Sequence, residues 1–173
     1  MPLARQLRPV GPHRLLGQVV SGFQRGSKQL GWPTANLDPA AFEHTLDAEE
    51  EGVYVGWAMI EDSAMPPASR AVHKAVLSVG WNPTFNNEKR TVEAYLCHDF
   101  ASDFYEKQMR LIVCGYIRPQ ENFFAEGVAY EAAMAILIEA IAGDVEFGKS
   151  QLETLEMLAF RSDPFFASGV STS

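Results

Sequence analysis

Arg110-Leu111-Ile112-Val113-Cys114-Gly115-Tyr116-Ile117 is an almost unbroken apolar run in which β-branched and aromatic residues are common, and it reads as a buried strand. Runs of the same character, continuous or alternating with period two, occur at residues 15–20, 53–60, 74–79 and 91–98. Pro33-Thr34-Ala35-Asn36-Leu37 is a short sixth candidate, with its proline at the first position, where a missing ladder donor matters least. Turn-rich segments at 22–31, 38–52, 65–69, 80–90 and 101–107 separate these runs. No helical periodicity lies between them, so the pattern excludes a parallel βαβ fold and predicts an antiparallel barrel or sandwich.

The last third changes character. Tyr130, Met134, Leu137, Ile141 and Val145 trace one face of an amphipathic helix, with Glu131, Glu139 and Asp144 mostly off that stripe. Leu152, Leu155 and Leu158 suggest a second helix, which Pro164 ends. The expected organisation is one domain over residues 1–173: a barrel or sandwich over about 15–120, a helical segment over about 127–163 and a frayed tail over 167–173.

Composition narrows the function. The chain has 173 residues, 47% of them hydrophobic and 21% charged, enough for one sizeable core. Asp plus Glu outnumber Lys plus Arg by 22 to 14, for a net charge of -8. That argues against a general nucleic-acid or anionic-membrane binder, which depends on excess basic residues. Residues 1–37 nevertheless hold Arg5, Arg8, Arg14, Arg25 and Lys28 and no acid, so a small polyanion fits that end. Cys97 and Cys114 form neither a disulfide framework nor a zinc motif and read as buried thiols in a reducing compartment. With no apolar run of membrane-spanning length, an intracellular and most simply cytoplasmic protein is expected, an organelle-import role for the N-terminal arginines staying open.

Chemistry concentrates in Gly22-Phe23-Gln24-Arg25-Gly26-Ser27-Lys28-Gln29-Leu30-Gly31-Trp32-Pro33-Thr34-Ala35-Asn36. Three glycines and two cations make an amide-exposing, positive loop that can wrap phosphates, or simply a glycine-rich turn with solvated cations. It matches neither a Walker loop nor a Rossmann fingerprint. Thr34 and Asn36, two apart on a strand, point to one side, where hydroxyl and carboxamide oxygens can complete the shell of a hard divalent cation or only brace a turn. Glu93 sits mid-strand, where glutamate is disfavoured; it is either a solvent-facing residue or a general base on a rigid element. His13, His44, His73 and His98 show no metal-ligand spacing, and no serine has a nucleophile-elbow setting.

These segments, in order, resemble the monofunctional riboflavin kinases: Gly17-Gln18-Val19-Val20, Gly22-Phe23, residues 25–31, Pro33-Thr34-Ala35-Asn36, Gly52-Val53-Tyr54 and Gly56-Trp57-Ala58, then Ser78-Val79-Gly80-Trp81-Asn82-Pro83, Glu93, Asp103-Phe104-Tyr105, Gly115-Tyr116-Ile117-Arg118-Pro119 and Asn122-Phe123. The resemblance spans residue 16 to about 123, and more loosely the helical tail. It implies a six-stranded antiparallel Greek-key β-barrel with a helical segment beside it. It also implies transfer of the ATP γ-phosphoryl group to the ribityl 5′-hydroxyl of riboflavin, giving FMN and ADP. Carried over by position, Gly22, Arg25, Gly26, Ser27, Lys28, Leu96, His98 and Tyr105 are ATP contacts, and Arg118, Glu121 and Phe123 are flavin contacts. Thr34 and Asn36 fall on the Mg2+ positions, with Mn2+ or Zn2+ as alternative metals, and Glu93 falls on the catalytic carboxylate. The Asp163-Pro164-Phe165-Phe166 stretch corresponds to a loop beside the flavin.

The departures are Gln24, where the family commonly has glycine, the bulky Trp32, Gln120-Glu121 in place of Glu-Lys, and a divergent segment at 124–129. Glu121 is then expected to act through its backbone. Two other classes compete: a flavin- or nucleotide-binding module without catalysis, which would lack one of Thr34, Asn36 and Glu93, and an OB-like single-strand binder, which would want aromatics among cations on its strands. Because the match begins near residue 16, FMN rather than FAD is the expected product. A monomer with small-molecule substrates and no nucleic-acid or membrane partner is expected.

Overall fold

The computed structural model describes residues 3–20, 34–81, 90–124 and 126–167, Trp81 by its backbone only. Six strands, β1 (Arg8–Val20), β2 (Ala35–Leu37), β3 (Gly52–Glu61), β4 (His73–Trp81), β5 (Arg90–Leu96) and β6 (Gln108–Pro119), close a barrel in the order β1-β2-β5-β4-β3-β6. Every neighbouring pair is antiparallel. Strands β3, β4 and β5 follow one another as a meander, and β6 returns to lie beside β3, which is the Greek-key arrangement. The expected barrel is therefore the fold, and the sandwich alternative is not.

Sequence pattern explains which strands are covered twice. In β5 the burial alternates strictly, with Val92, Ala94 and Leu96 inside the barrel. Strands β3 and β6 are buried on both faces. Tyr54, Ala58, Ile60, Met109, Leu111 and Val113 point into the barrel core, whereas Val53, Val55, Trp57, Ile112 and Cys114 form a second core outside it, with Leu152, Met157 and Phe166. A continuous apolar run is what a strand between two apolar layers needs. Burial pushes the Cys114 thiol up to about 12, so it packs as an inert small hydrophobe.

The outer layer is built from α1 (Tyr130–Gln151), α2 (Leu155–Leu158) and α3 (Pro164–Ala167). Gly148 lets α1 approach the sheet closely, since a Cβ there would lie 2.8 Å from Val76 Cγ2 and 2.9 Å from Val55 Cγ1. The buried Trp57 indole donates to the Met157 carbonyl at 3.0 Å and fastens α2 to β3. Arg14 forks onto Asp163 at 2.6 and 3.2 Å, and the Asp163 carboxylate also accepts the Phe165 N–H at 2.9 Å. The partners on Asp163, the Arg14 hydrogen bond foremost, hold its carboxyl below the ordinary range.

Three expectations are corrected. Strand β1 starts at Arg8, well before residue 15, because its register shifts between Pro9 and His13 and Gly11 takes a φ of 62°, a left-handed turn suited to glycine. The α1 stripe is rotated: Ala133, Ala140, Asp144, Val145 and Gly148 are buried while Tyr130 is 68% exposed. The second helical pattern breaks into short turns, with Leu152 buried and Leu155 88% exposed. The three N-terminal arginines all carry ion pairs, Arg5 with Asp144, Arg8 with Glu50 and Arg14 with Asp163. Among the described residues no helix is long and apolar enough to cross a membrane.

Candidate active site

Strands β2 and β5 lie side by side although more than fifty residues separate them, and their register sets Asn36 opposite Glu93 and Ala35 opposite Ala94. On the other side of β5, Ser78 of β4 is opposite Glu93. Since Ala35, Leu37, Val92 and Ala94 fill the barrel, the alternate residues Asn36, Glu93 and Tyr95 face outward. Thr34, just ahead of β2, donates its hydroxyl hydrogen to Glu93 Oε1 at 2.7 Å. A polar row thus crosses three strands on the outer wall, held by the ladder beneath it.

Two cavities flank this row. One, of about 410 Å³, is lined by Leu96, His98, Phe100, Asp103, Phe104 and Tyr105 among others. The other, of about 310 Å³, contains Glu93, Ser78, Arg118, Glu121, Phe123 and Asp144. Thr34 and Tyr95 line both. The residues that the resemblance assigned to ATP from β5 onward therefore collect in the larger cavity, and those it assigned to the flavin collect with Glu93 in the smaller. Asn36 lines neither cavity and reaches the site as the cross-strand neighbour of Glu93. Gly22, Arg25, Gly26, Ser27 and Lys28 lie outside the described residues.

The larger cavity has a braced aromatic wall. His98 stacks on His73 with ring centroids 4.3 Å apart, and Phe100 meets both rings edge-on. Ser69 Oγ lies 3.0 Å from His98 Nε2, and His73 Nε2 lies 3.2 Å from the Ser69 carbonyl, which it meets as a donor. Burial lowers the His73 pKa, with His98 and Arg161 adding smaller repulsions.

The smaller cavity has one apolar wall from α1, made by Leu137, Ile141 and Val145, and one polar wall from the end of β6. The Arg118 guanidinium is buried and forks onto Asp144, Nε to Oδ1 at 2.8 Å and Nη2 to Oδ2 at 2.7 Å. It also faces the Phe123 ring at 6.0 Å. Gln120 Nε2 donates to Ser78 Oγ at 2.7 Å, joining the loop after β6 to the row that holds Glu93. Glu121 is exposed.

Sequence reasoning missed Asp144, Tyr95, Gln120 and the cavity-facing side of α1. Apolar residues on a helix signal a contact face, and here part of that face meets open space instead of core. The Asp163–Phe166 stretch lines neither cavity; Phe166 is buried in the outer core and the Phe165 carbonyl accepts from Arg110 at 3.1 Å.

A metal bound here would meet oxygen donors only, the Thr34 hydroxyl and the Asn36 carboxamide, beside the Glu93 carboxylate. That donor set suits a small hard cation. Among the described residues no group of three or more His, Cys, Asp or Glu side chains could hold a metal, so phosphate or water oxygens would have to complete the shell.

Residues 10–152 match the family model for flavokinase, described as riboflavin kinase. A human riboflavin kinase is 40% identical over 155 residues, which cover 90% of each chain. A bifunctional riboflavin kinase/FMN phosphatase of Arabidopsis thaliana is 41% identical over 157 residues, covering 91% of this chain and 38% of that one. The crystal structure of riboflavin kinase from Trypanosoma brucei superposes with a TM-score of 0.66 at 29% identity, over 92% of this chain and 91% of that one. With the barrel in agreement, the chain belongs to the riboflavin kinase family and is an enzyme, a kinase.

Proposed function

We propose that the protein transfers the γ-phosphoryl group of ATP to the ribityl 5′-hydroxyl of riboflavin, with the nucleotide in the larger cavity and riboflavin in the smaller, where Glu93 is bonded to Thr34 on the wall that both share. The observation that carries this reading is the Thr34–Glu93 hydrogen bond on the wall that the two cavities share.

A primary alcohol is a poor nucleophile, so it must be oriented in line with the phosphorus and relieved of its proton as the new bond forms. The ribityl oxygen bonds to the γ-phosphorus, the bond from that phosphorus to the bridging oxygen breaks, and ADP leaves with the electron pair. Glu93 accepts the hydroxyl proton. Its place in the middle of β5, hydrogen-bonded by Thr34 and flanked by ladder partners on both sides, supplies the rigidity such a base needs. Thr34 and Asn36 would hold Mg2+, which when bound neutralises charge on the transferring group. The resemblance assigns contact with the nucleotide phosphates to residues 22–28, which lie outside the described residues. Leu96, His98 and Tyr105 hold the nucleotide, and the apolar α1 wall with Phe123 and the Arg118 end of β6 holds the flavin. His98 is fixed for its part by Ser69 and the His73 ring.

Incubation of the purified protein with riboflavin and MgATP, followed by chromatography, tests the reading. FMN is expected to accumulate with an equal amount of ADP, and no FMN above a no-enzyme control would reject it.

A further inference from the structure

The segment ahead of β1 brings a charge to the smaller cavity from behind. Asp144 is buried on α1, its side chain 6% exposed, and it accepts from Arg5 as well as from Arg118: Arg5 Nε donates to Oδ1 at 2.7 Å. Arg5 Nη2 also donates to the Ala140 carbonyl at 3.0 Å. Gly143 makes room for this, since a Cβ there would lie 2.6 Å from Arg5 Nη2. The neighbouring residues fix the segment on β6: the Gln6 N–H donates to the Ile117 carbonyl at 3.1 Å, and Leu7 lies over Gly115. Arg118 and Asp144 line the cavity, whereas Arg5 stands behind them.

Two guanidiniums share one carboxylate, so the back of the cavity keeps one net positive charge. Were Arg5 absent, Asp144 would be left to Arg118 alone and would neutralise it. The flavin ring system carries carbonyl oxygens and is rich in acceptors, and a cation not fully cancelled by its own partner binds it better. The same contact ties α1, whose Leu137, Ile141 and Val145 form the apolar wall, to the end of β6.

We infer that Arg5 is a positioning residue for riboflavin, acting through Asp144 to set both the charge and the width of the flavin cavity. The inference rests on the reading that the smaller cavity takes riboflavin. It extends the site to a part of the chain that the motifs do not reach.

Arg5→Gln and Arg5→Lys, made in the full chain, test it, because neither touches the barrel core. Arg5→Gln is expected to raise the riboflavin KM about 3- to 10-fold, with the ATP KM and kcat within about twofold of the parent. Titration of riboflavin by quenching of its fluorescence should show the same weakening, and Arg5→Lys should recover most of it. A lowered thermal midpoint with unchanged riboflavin affinity would overturn the inference, as would a lysine variant no better than the glutamine one. A rise in the ATP KM with riboflavin affinity unchanged would instead overturn the assignment of the two cavities, which separates the failure of that reading from the failure of this one.

Discussion

Thr34 and Glu93, 59 residues apart in sequence, share a 2.7 Å hydrogen bond where the two cavities meet. The pairing follows from the neighbourhood of β2 and β5 in the barrel, so the strand order itself brings the hydroxyl to the carboxylate. Oxygen donors for a cation and a base for an alcohol then occupy one stretch of rigid wall.

Asn36→Ala removes one of these oxygens and leaves the Thr34–Glu93 bond in place. The Mg2+ concentration for half-maximal activity should rise by about tenfold or more, as for loss of a group that supports a metal. Metal titration of FMN formation at saturating ATP checks this, and an unchanged midpoint would remove Asn36 from the metal shell.

The strands were legible where pattern and burial coincide. Residues 110–117 and 53–60 are apolar on both faces because both faces are covered, and β5 alternates because only its inner face is. The start of β1 was hidden by Pro9, Gly11 and Pro12, which read locally as a turn, whereas the barrel absorbs them as a register shift. In the sequence Asp144 is one more acid off the helix's apolar stripe, because its partners, Arg118 and Arg5, are 26 and 139 residues away. No spacing rule links such distant groups. Thr34, Asn36 and Glu93 were each ambiguous alone; the family pattern singled them out, and the β2–β5 register shows what places them together.

Gly56 predicts a stability effect. A Cβ at this position would lie 1.9 Å from the Ile112 carbonyl oxygen, at the point where the β3–β6 register shifts. Backbone cannot move aside as a side chain can, so Gly56→Ala should cost about 3 kcal/mol, the upper end of ordinary overpacking. Urea unfolding checks this, and an unchanged midpoint would show that the strands are free to separate there.

His73 predicts a pH effect. Burial lowers its pKa below the ordinary 6.5, with His98 and Arg161 acting in the same direction. The unfolded chain therefore takes up the proton first as pH falls, and stability present above 6.5 is lost toward the lower, folded value. The unfolding free energy should fall as the pH drops below about 6.5, more steeply than in His73→Phe, which has no proton to take up. Equal slopes in the two proteins would assign the loss to other groups.

The role of Glu93 is tested most directly by the turnover of Glu93→Gln, which keeps the shape of the side chain and removes its capacity to accept a proton. Measured as FMN formed at saturating riboflavin and MgATP, kcat should fall by roughly 10²- to 10⁴-fold with the thermal midpoint and the affinity for both substrates retained. A folded Glu93→Gln protein with near-normal kcat would contradict the account.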